Sequence, residues 1–193
     1  MRANEQKSVQ VTFTLKRNTC PPVKLNDVNI PQAEEVKYLG MHLDKRLTWR
    51  NHIKKKRLQL NLKCRHLYWL LGKKSKVTTE NKLLIYKSII KPVWTYGIQM
   101  WGIAAKSNLD IFQRFQNRVL RQVLNAPWYV TNEQIHRDLN MSTIREEILA
   151  ASERYRGRLI SHPNSLANHL AIADSPRNRR LTKGRPSDLY ASL

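Results

Sequence analysis

Between Asp44 and Lys76 the chain carries 12 lysines and arginines against one acid, in a pattern that must still bury one face. That stretch limits the folds open to the rest. Upstream, Val36-Lys37-Tyr38-Leu39-Gly40-Met41-His42-Leu43 reads as a short strand, with Gly40 marking a bulge. Asp44-Lys45-Arg46-Leu47 turns, and Thr48 is the expected N-cap of a helix over Trp49–Leu71. On that helix Trp49, Ile53, Leu60, Leu67 and Leu71 share a broad face, while Lys54, Lys55, Lys56, Arg57 and Lys63 lie mostly off it. Arg65, Lys73, Lys74 and Lys76 continue the charge. A stiff bend feeding a basic helix is a device for holding a phosphate backbone.

The whole chain of 193 residues has a formal net charge of +21. A protein this basic repels itself until it meets a polyanion, so nucleic acid is the leading partner class and an acidic membrane surface the second. The residues from Lys54 to Arg57 also admit an ordinary solvated face or a nuclear-import address. Cys20 and Cys64 form no C-x-x-C pair, which argues against a zinc knuckle or a disulfide framework and suits a reducing, intracellular setting, nuclear and cytoplasmic. No run of 18 apolar residues is present. Residues 1–7 hold no apolar signal core and no domain start, and read as a cut inside a larger protein.

The N-terminal part is expected to be a small antiparallel sheet. Val9–Leu15 alternates strictly and reads as a strand; Pro21-Pro22 closes a turn; Asn26-Asp27 marks a hairpin between Val23–Leu25 and Val28–Ile30. After Gly72 the pattern is helical. Thr79 is expected to cap a helix over Glu80–Lys91, which Pro92 kinks or restarts, ahead of the densely aromatic Val93–Gly102. Ser107 is expected to cap a helix whose apolar positions Leu109, Phe112, Phe115, Val119 and Val123 recur with a helical period. Thr131…Gln134 and Thr143…Glu146 read as capping boxes, and Ser165–Ala173 as a last short helix. From Asp174 on, a polar, basic tail is expected to be disordered. The fold class is therefore α+β, a small antiparallel sheet followed by a mainly helical body.

Catalytic motifs are absent or fail on inspection. The adjacent acid pairs Glu34-Glu35 and Glu146-Glu147 sit before a strand and in a helix first turn, where they point apart or serve the helix dipole. His136-Arg137-Asp138-Leu139 copies a kinase string but lacks the following Asn and any glycine-rich loop. Cys64-Arg65-His66 lacks two further ligands and reads as helix packing. Tyr68, Trp69, Trp94, Tyr96, Trp101 and Trp128 have the chemistry to stack on bases, though at helical spacing such residues more often fill a core.

An ordered series of strings resembles the jockey-type non-LTR retrotransposon reverse transcriptases. It begins at Val11-Thr12-Phe13-Thr14-Leu15 and Val36–Asp44 with Leu47-Thr48-Trp49. It continues through Tyr68–Gly72, Asn81–Leu84, Lys91–Gly102, Ala126–Val130 and Ile135–Leu139, spanning about residues 7–173. The resemblance implies that Tyr38, Leu39 and Gly40 match the primer-grip turn of the palm. It implies that the basic helices match a thumb that closes on an RNA/DNA or RNA template–primer duplex, and that the later helices match the region after the thumb. On this basis the chain divides into a palm edge (1–47), basic thumb-like helices with the aromatic segment (48–124), a C-terminal helical region (125–173) and the tail (174–193). The family's Asp-Asp catalytic hairpin belongs N-terminal to Lys7, together with the rest of the palm and the fingers. This chain alone is therefore expected to be inactive, with no cofactor, and Mg²⁺ is expected only in a complete polymerase.

The candidate nucleic-acid-binding residues are Tyr38, Leu39, Gly40, Lys45, Arg46, Lys54, Lys55, Lys56, Arg57, Lys63, Lys73 and Lys74. Two other functions stay open on sequence alone: a free-standing, element-derived nucleic-acid-binding protein, and a helical protein-interaction module with no nucleic-acid role.

Overall fold

The computed structural model describes residues 4–14, 20–171 and 189. The chain divides into two compact units, Met1–His52 and Ile53–Leu193.

The first unit is built from hairpins. Strands β1 (Lys24–Leu25) and β2 (Val28–Asn29) pair antiparallel, with Leu25 opposite Val28. Asn26 and Asp27 both take positive φ, 48° and 62°, the backbone that a two-residue hairpin turn demands. Val36–Leu43 is not one bulged strand but a second hairpin. Strand β3 (Glu35–Tyr38) pairs with β4 (Met41–Asp44), Val36 facing Leu43 and Tyr38 facing Met41. Leu39 and Gly40 form the turn at φ 45° and 76°. A leucine with positive φ is held against its own Cβ sterics, at a cost of about 1 kcal/mol. Changing Leu39 to Asn gives the preferred Asn-Gly turn and is expected to raise stability by about 0.5–1 kcal/mol in a urea titration.

The expected strand over Val9–Leu15 does not form; Leu15 itself lies outside the described residues. Gln10 makes a single parallel bridge to Gln32, with its N–H donating to the Pro31 carbonyl at 3.0 Å. The Gln10 carbonyl accepts from the Ala33 N–H at 2.9 Å, which completes the bridge, and Pro31 has no N–H with which to extend it toward Ser8.

Asp44 shapes the approach to the first long helix. One carboxylate oxygen accepts from the Thr48 N–H and hydroxyl, both at 3.0 Å, and the other from the Trp49 N–H at 3.1 Å. These bonds hold Leu47 and Trp49 at φ 49° and 62°, so helix α1 (Arg50–His66) starts one residue after the expected position. Trp49 and His52 are buried, their rings edge to face at 6.0 Å, and the His52 Nδ1 accepts from the His42 N–H at 3.2 Å.

In the second unit, α1 breaks at Leu67 and α2 (Tyr68–Leu71) follows. Helix α3 (Thr79–Ile85) is capped by the Thr78 hydroxyl rather than Thr79. The expected continuous helix to Lys91 widens instead into a π turn over Tyr86–Ile90 before α4 (Lys91–Thr95). Two features favour that widening. Pro92 lacks the N–H a regular helix would use, and the Ser88 hydroxyl donates to the Leu84 carbonyl at 2.8 Å. Gly97, at φ 65°, reverses the chain into α5 (Ile98–Trp101). Helix α6 (Lys106–Leu124) starts before Ser107, because the Ala105 carbonyl already accepts from Asn108 and Leu109.

Helix α6 is the axis of the core. It buries Phe112, Phe115, Val119, Leu120 and Val123 and packs against α3, α7 (Asn132–Asp138) and α8 (Ile144–Ile160). Trp101 meets Phe112 at 5.1 Å in an edge-to-face pair, and its indole N–H donates to the Tyr96 carbonyl at 3.0 Å. The capping box at Thr143–Glu146 is complete, whereas α7 is capped by Thr131 alone. Helix α9 covers Ser165–Ala171; the expected tail falls outside the described residues, Leu189 apart. The architecture is α+β, as expected, with two small antiparallel sheets and a helical C-terminal region.

Candidate nucleic-acid interface

In the first unit the tip of the β3–β4 hairpin carries Tyr38 and Leu39, both more than 60% exposed, beside Gly40. A turn beyond β4 carries Lys45 and Arg46. Arg46 is exposed, while the Lys45 ammonium lies 3.4 Å from the Glu34 carboxylate. One end of that pair is mostly solvated, so it leaves Lys45 available to a stronger anion.

In the second unit Lys54 and Lys55 are exposed on α1, Lys63 is half-buried, and Lys73 and Lys74 are exposed in the turn after α2. Lys56 and Arg57 are more deeply engaged than the sequence suggests. The Lys56 ammonium lies 5.6 Å from the centre of the Tyr96 ring, and the Arg57 guanidinium 4.4 Å from that of Phe115. Arg118 of α6 approaches the same Phe115 ring at 5.8 Å. Both guanidiniums donate to one acceptor, the Asn61 side-chain oxygen, Arg118 at 3.1 Å.

The partners of Arg57 and Arg118 are thus a neutral amide and an aromatic face; among the described residues neither forms an ion pair with a carboxylate. Burial lowers the Arg57 pKa and the nearby charge of Arg118 lowers it further; Cys64 opposes this and Arg114 adds to it. Burial pushes the Cys64 thiol up, and Arg118 and Arg57 pull it partly back. Arginine stays charged under such pressure, so these helices hold like charges together without internal compensation. An oxyanion fits this arrangement, because a guanidinium offers paired donors to phosphate.

Arg114 and Arg118 were not singled out in the sequence. The signal was available: arginines at 114, 118 and 121 fall on one face of α6, and no acid occurs from 114 to 130.

The acids do not converge. Glu35 accepts from Asn51 at 2.8 Å, Glu146 completes a helix cap, and Glu147 pairs with Lys91 across α4 and α8. Among the described residues no three His, Cys, Asp or Glu side chains are grouped to hold a metal ion, and no described helix is long and apolar enough to cross a membrane. His136 is structural. Its ring nitrogens lie 2.7 Å from the Met141 carbonyl and 2.9 Å from the Asn117 side-chain oxygen, tying α7 to α6. The aromatics divide: Trp94 and Trp101 fill the core and cannot meet a base, whereas Tyr68, Trp69, Tyr96 and Trp128 are at least half exposed.

Nearly the whole chain aligns with known proteins. It is 45% identical over 186 residues to a protein of Drosophila melanogaster named "Probable RNA-directed DNA polymerase from transposon X-element", covering 96% of this chain and 20% of that one. A second Drosophila melanogaster protein, named for transposon BS, is 40% identical across 95% of the chain and 20% of its own length. The RNA-directed DNA polymerase from mobile element jockey of Drosophila funebris is 38% identical across 96% of the chain and 21% of its own length. The chain spans about a fifth of the length of these relatives. No family model and no solved structure matches it.

Proposed function

We propose, for a chain homologous along nearly all its length to one fifth of the RNA-directed DNA polymerases of jockey and related non-LTR elements, that it is the duplex-holding part of such a polymerase. In this reading the first unit is the palm edge with its primer-grip hairpin, and the helical unit is the thumb with the region that follows. It binds template–primer through phosphates, not base edges. Bond formation, the incoming nucleotide and any Mg²⁺ belong to the palm and fingers of a complete polymerase, its partners within one enzyme. Its work lies where that nucleic acid is, in nucleus and cytoplasm.

The observation that carries this reading is the Arg57–Arg118 pair, held by Asn61 and Phe115 with no carboxylate partner among the described residues. Cations from α1 and the turn after α2 extend the charge. The test is competition binding. Duplexes of unrelated sequence should displace a labelled duplex equally well, and the chain with Mg²⁺ should extend no primer. Strong preference for one sequence, or robust extension, would overturn the reading.

A further inference from the structure

Helix α6 ends in an unusual display. Arg114 and Arg118 are exposed on one face, and Arg121 follows them along the same row. Asn125 closes the helix at φ 51°, its N–H donating to the Arg121 and Gln122 carbonyls. The Arg121 side chain then reaches into the following loop. It donates to the Pro127 and Val130 carbonyls, both at 2.7 Å, and to the Asn132 side-chain oxygen at 3.1 Å. One guanidinium therefore fixes the loop at both ends. Between the two tethered carbonyls stand Trp128, 90% exposed, and Tyr129, 69% exposed, their rings edge to face at 6.0 Å.

This loop is held open instead of folding its indole inward. An indole left in water forgoes the burial that its area would reward. Its surroundings select the occupant. From Arg114 to Val130 there are three arginines and no acid, and the last of them, Arg121, bonds the backbone on both sides of the aromatic pair. An apolar protein surface would gain little from that row. A ligand with flat π faces joined by anionic linkages would use both.

We propose that Trp128 and Tyr129 form a stacking platform for unpaired nucleobases, with the phosphates of the same single strand on Arg114 and Arg118. Bases inside a duplex are already stacked on both faces, so the platform takes the unpaired stretch next to a duplex. The proposal rests on the nucleic-acid reading above and adds a single-strand site to it.

The experiment compares two labelled RNA/DNA hybrids binding to the whole chain, one blunt and one with a short unpaired extension containing 2-aminopurine. The extension should tighten binding by about tenfold, the scale of base–aromatic stacking. Trp128→Ala should abolish that gain and the quenching of 2-aminopurine, and leave the blunt hybrid within about twofold of wild type. Trp128→Phe should retain most of the gain. Circular dichroism should show the fold unchanged, since the side chain is almost fully solvated. If the extension brings no gain, or Trp128→Ala weakens both hybrids alike, the platform is wrong and the face is left to a protein partner. If the blunt hybrid still binds in that case, the duplex reading survives; if neither hybrid binds, both fall.

Discussion

Replacing Trp101 with alanine is expected to cost about 3–5 kcal/mol of unfolding free energy, the range for truncating a fully buried large aromatic. Trp101 is 0% exposed, stands edge to face with Phe112 on the central helix, and satisfies the Tyr96 carbonyl. Alanine leaves a void that the surrounding helices fill only in part, and a carbonyl that loses its donor. Trp101→Phe keeps the ring contact and loses only the hydrogen bond and some volume, so its cost should be about half or less. Urea titration followed by circular dichroism measures both. Domains of this size have about 5–15 kcal/mol in total, so the alanine variant should lose about a fifth of its stability or more and unfold at clearly lower urea. An alanine variant within about 1 kcal/mol of wild type would show that this packing is not what holds the helices together.

Changing Lys54, Lys55, Lys56 and Arg57 together to alanine is expected to weaken duplex binding on the order of 10²-fold near physiological salt. Each phosphate contact removed should also flatten the salt dependence by about 0.9 in slope, up to about 3–4 for all four. The loss should be the same on every sequence, because phosphates carry no sequence information. Arg57 differs from its neighbours in packing on Phe115 and bonding to Asn61. Arg57→Lys therefore separates charge from geometry. It keeps the cation but loses the planar fork, and should recover only part of the affinity. Filter binding on duplexes of unrelated sequence provides both numbers.

The fold was readable wherever side-chain pattern and backbone preference agree. Asn26-Asp27 announces its hairpin because both residue types tolerate positive φ. The apolar period of α6 and the capping box at Thr143 are equally explicit. The second hairpin was hidden because its turn uses Leu39, a residue that local sterics oppose, so Gly40 alone suggested a bulge. Val9–Leu15 has the alternation of a strand, but its backbone is shared between partners: Gln10 bonds to Pro31 and Ala33, and the Thr14 N–H donates to the Lys45 carbonyl at 3.1 Å, so no one neighbour runs alongside it. The π turn at Tyr86–Ile90 leaves no periodic signature that sequence shows.

At the candidate interface, sequence singled out the cations of α1 but did not show their environment. Periodicity put Arg57 on a solvated face; the structure lays it on Phe115, because a guanidinium can stack where an ammonium prefers water. Arg118 joins it from a helix 61 residues further along, a distance that local pattern does not bridge. The six aromatics looked alike in sequence, and burial alone separates Trp94 and Trp101 from Trp128.

If the excess positive charge of this chain serves to hold nucleic-acid phosphates, salt must compete with the ligand. The affinity of the whole chain for a mixed-sequence duplex, measured as salt is raised, decides the matter. Log K should fall linearly with log salt, at about −0.9 for every phosphate neutralised and with several phosphates engaged. An affinity that does not change with salt would contradict it.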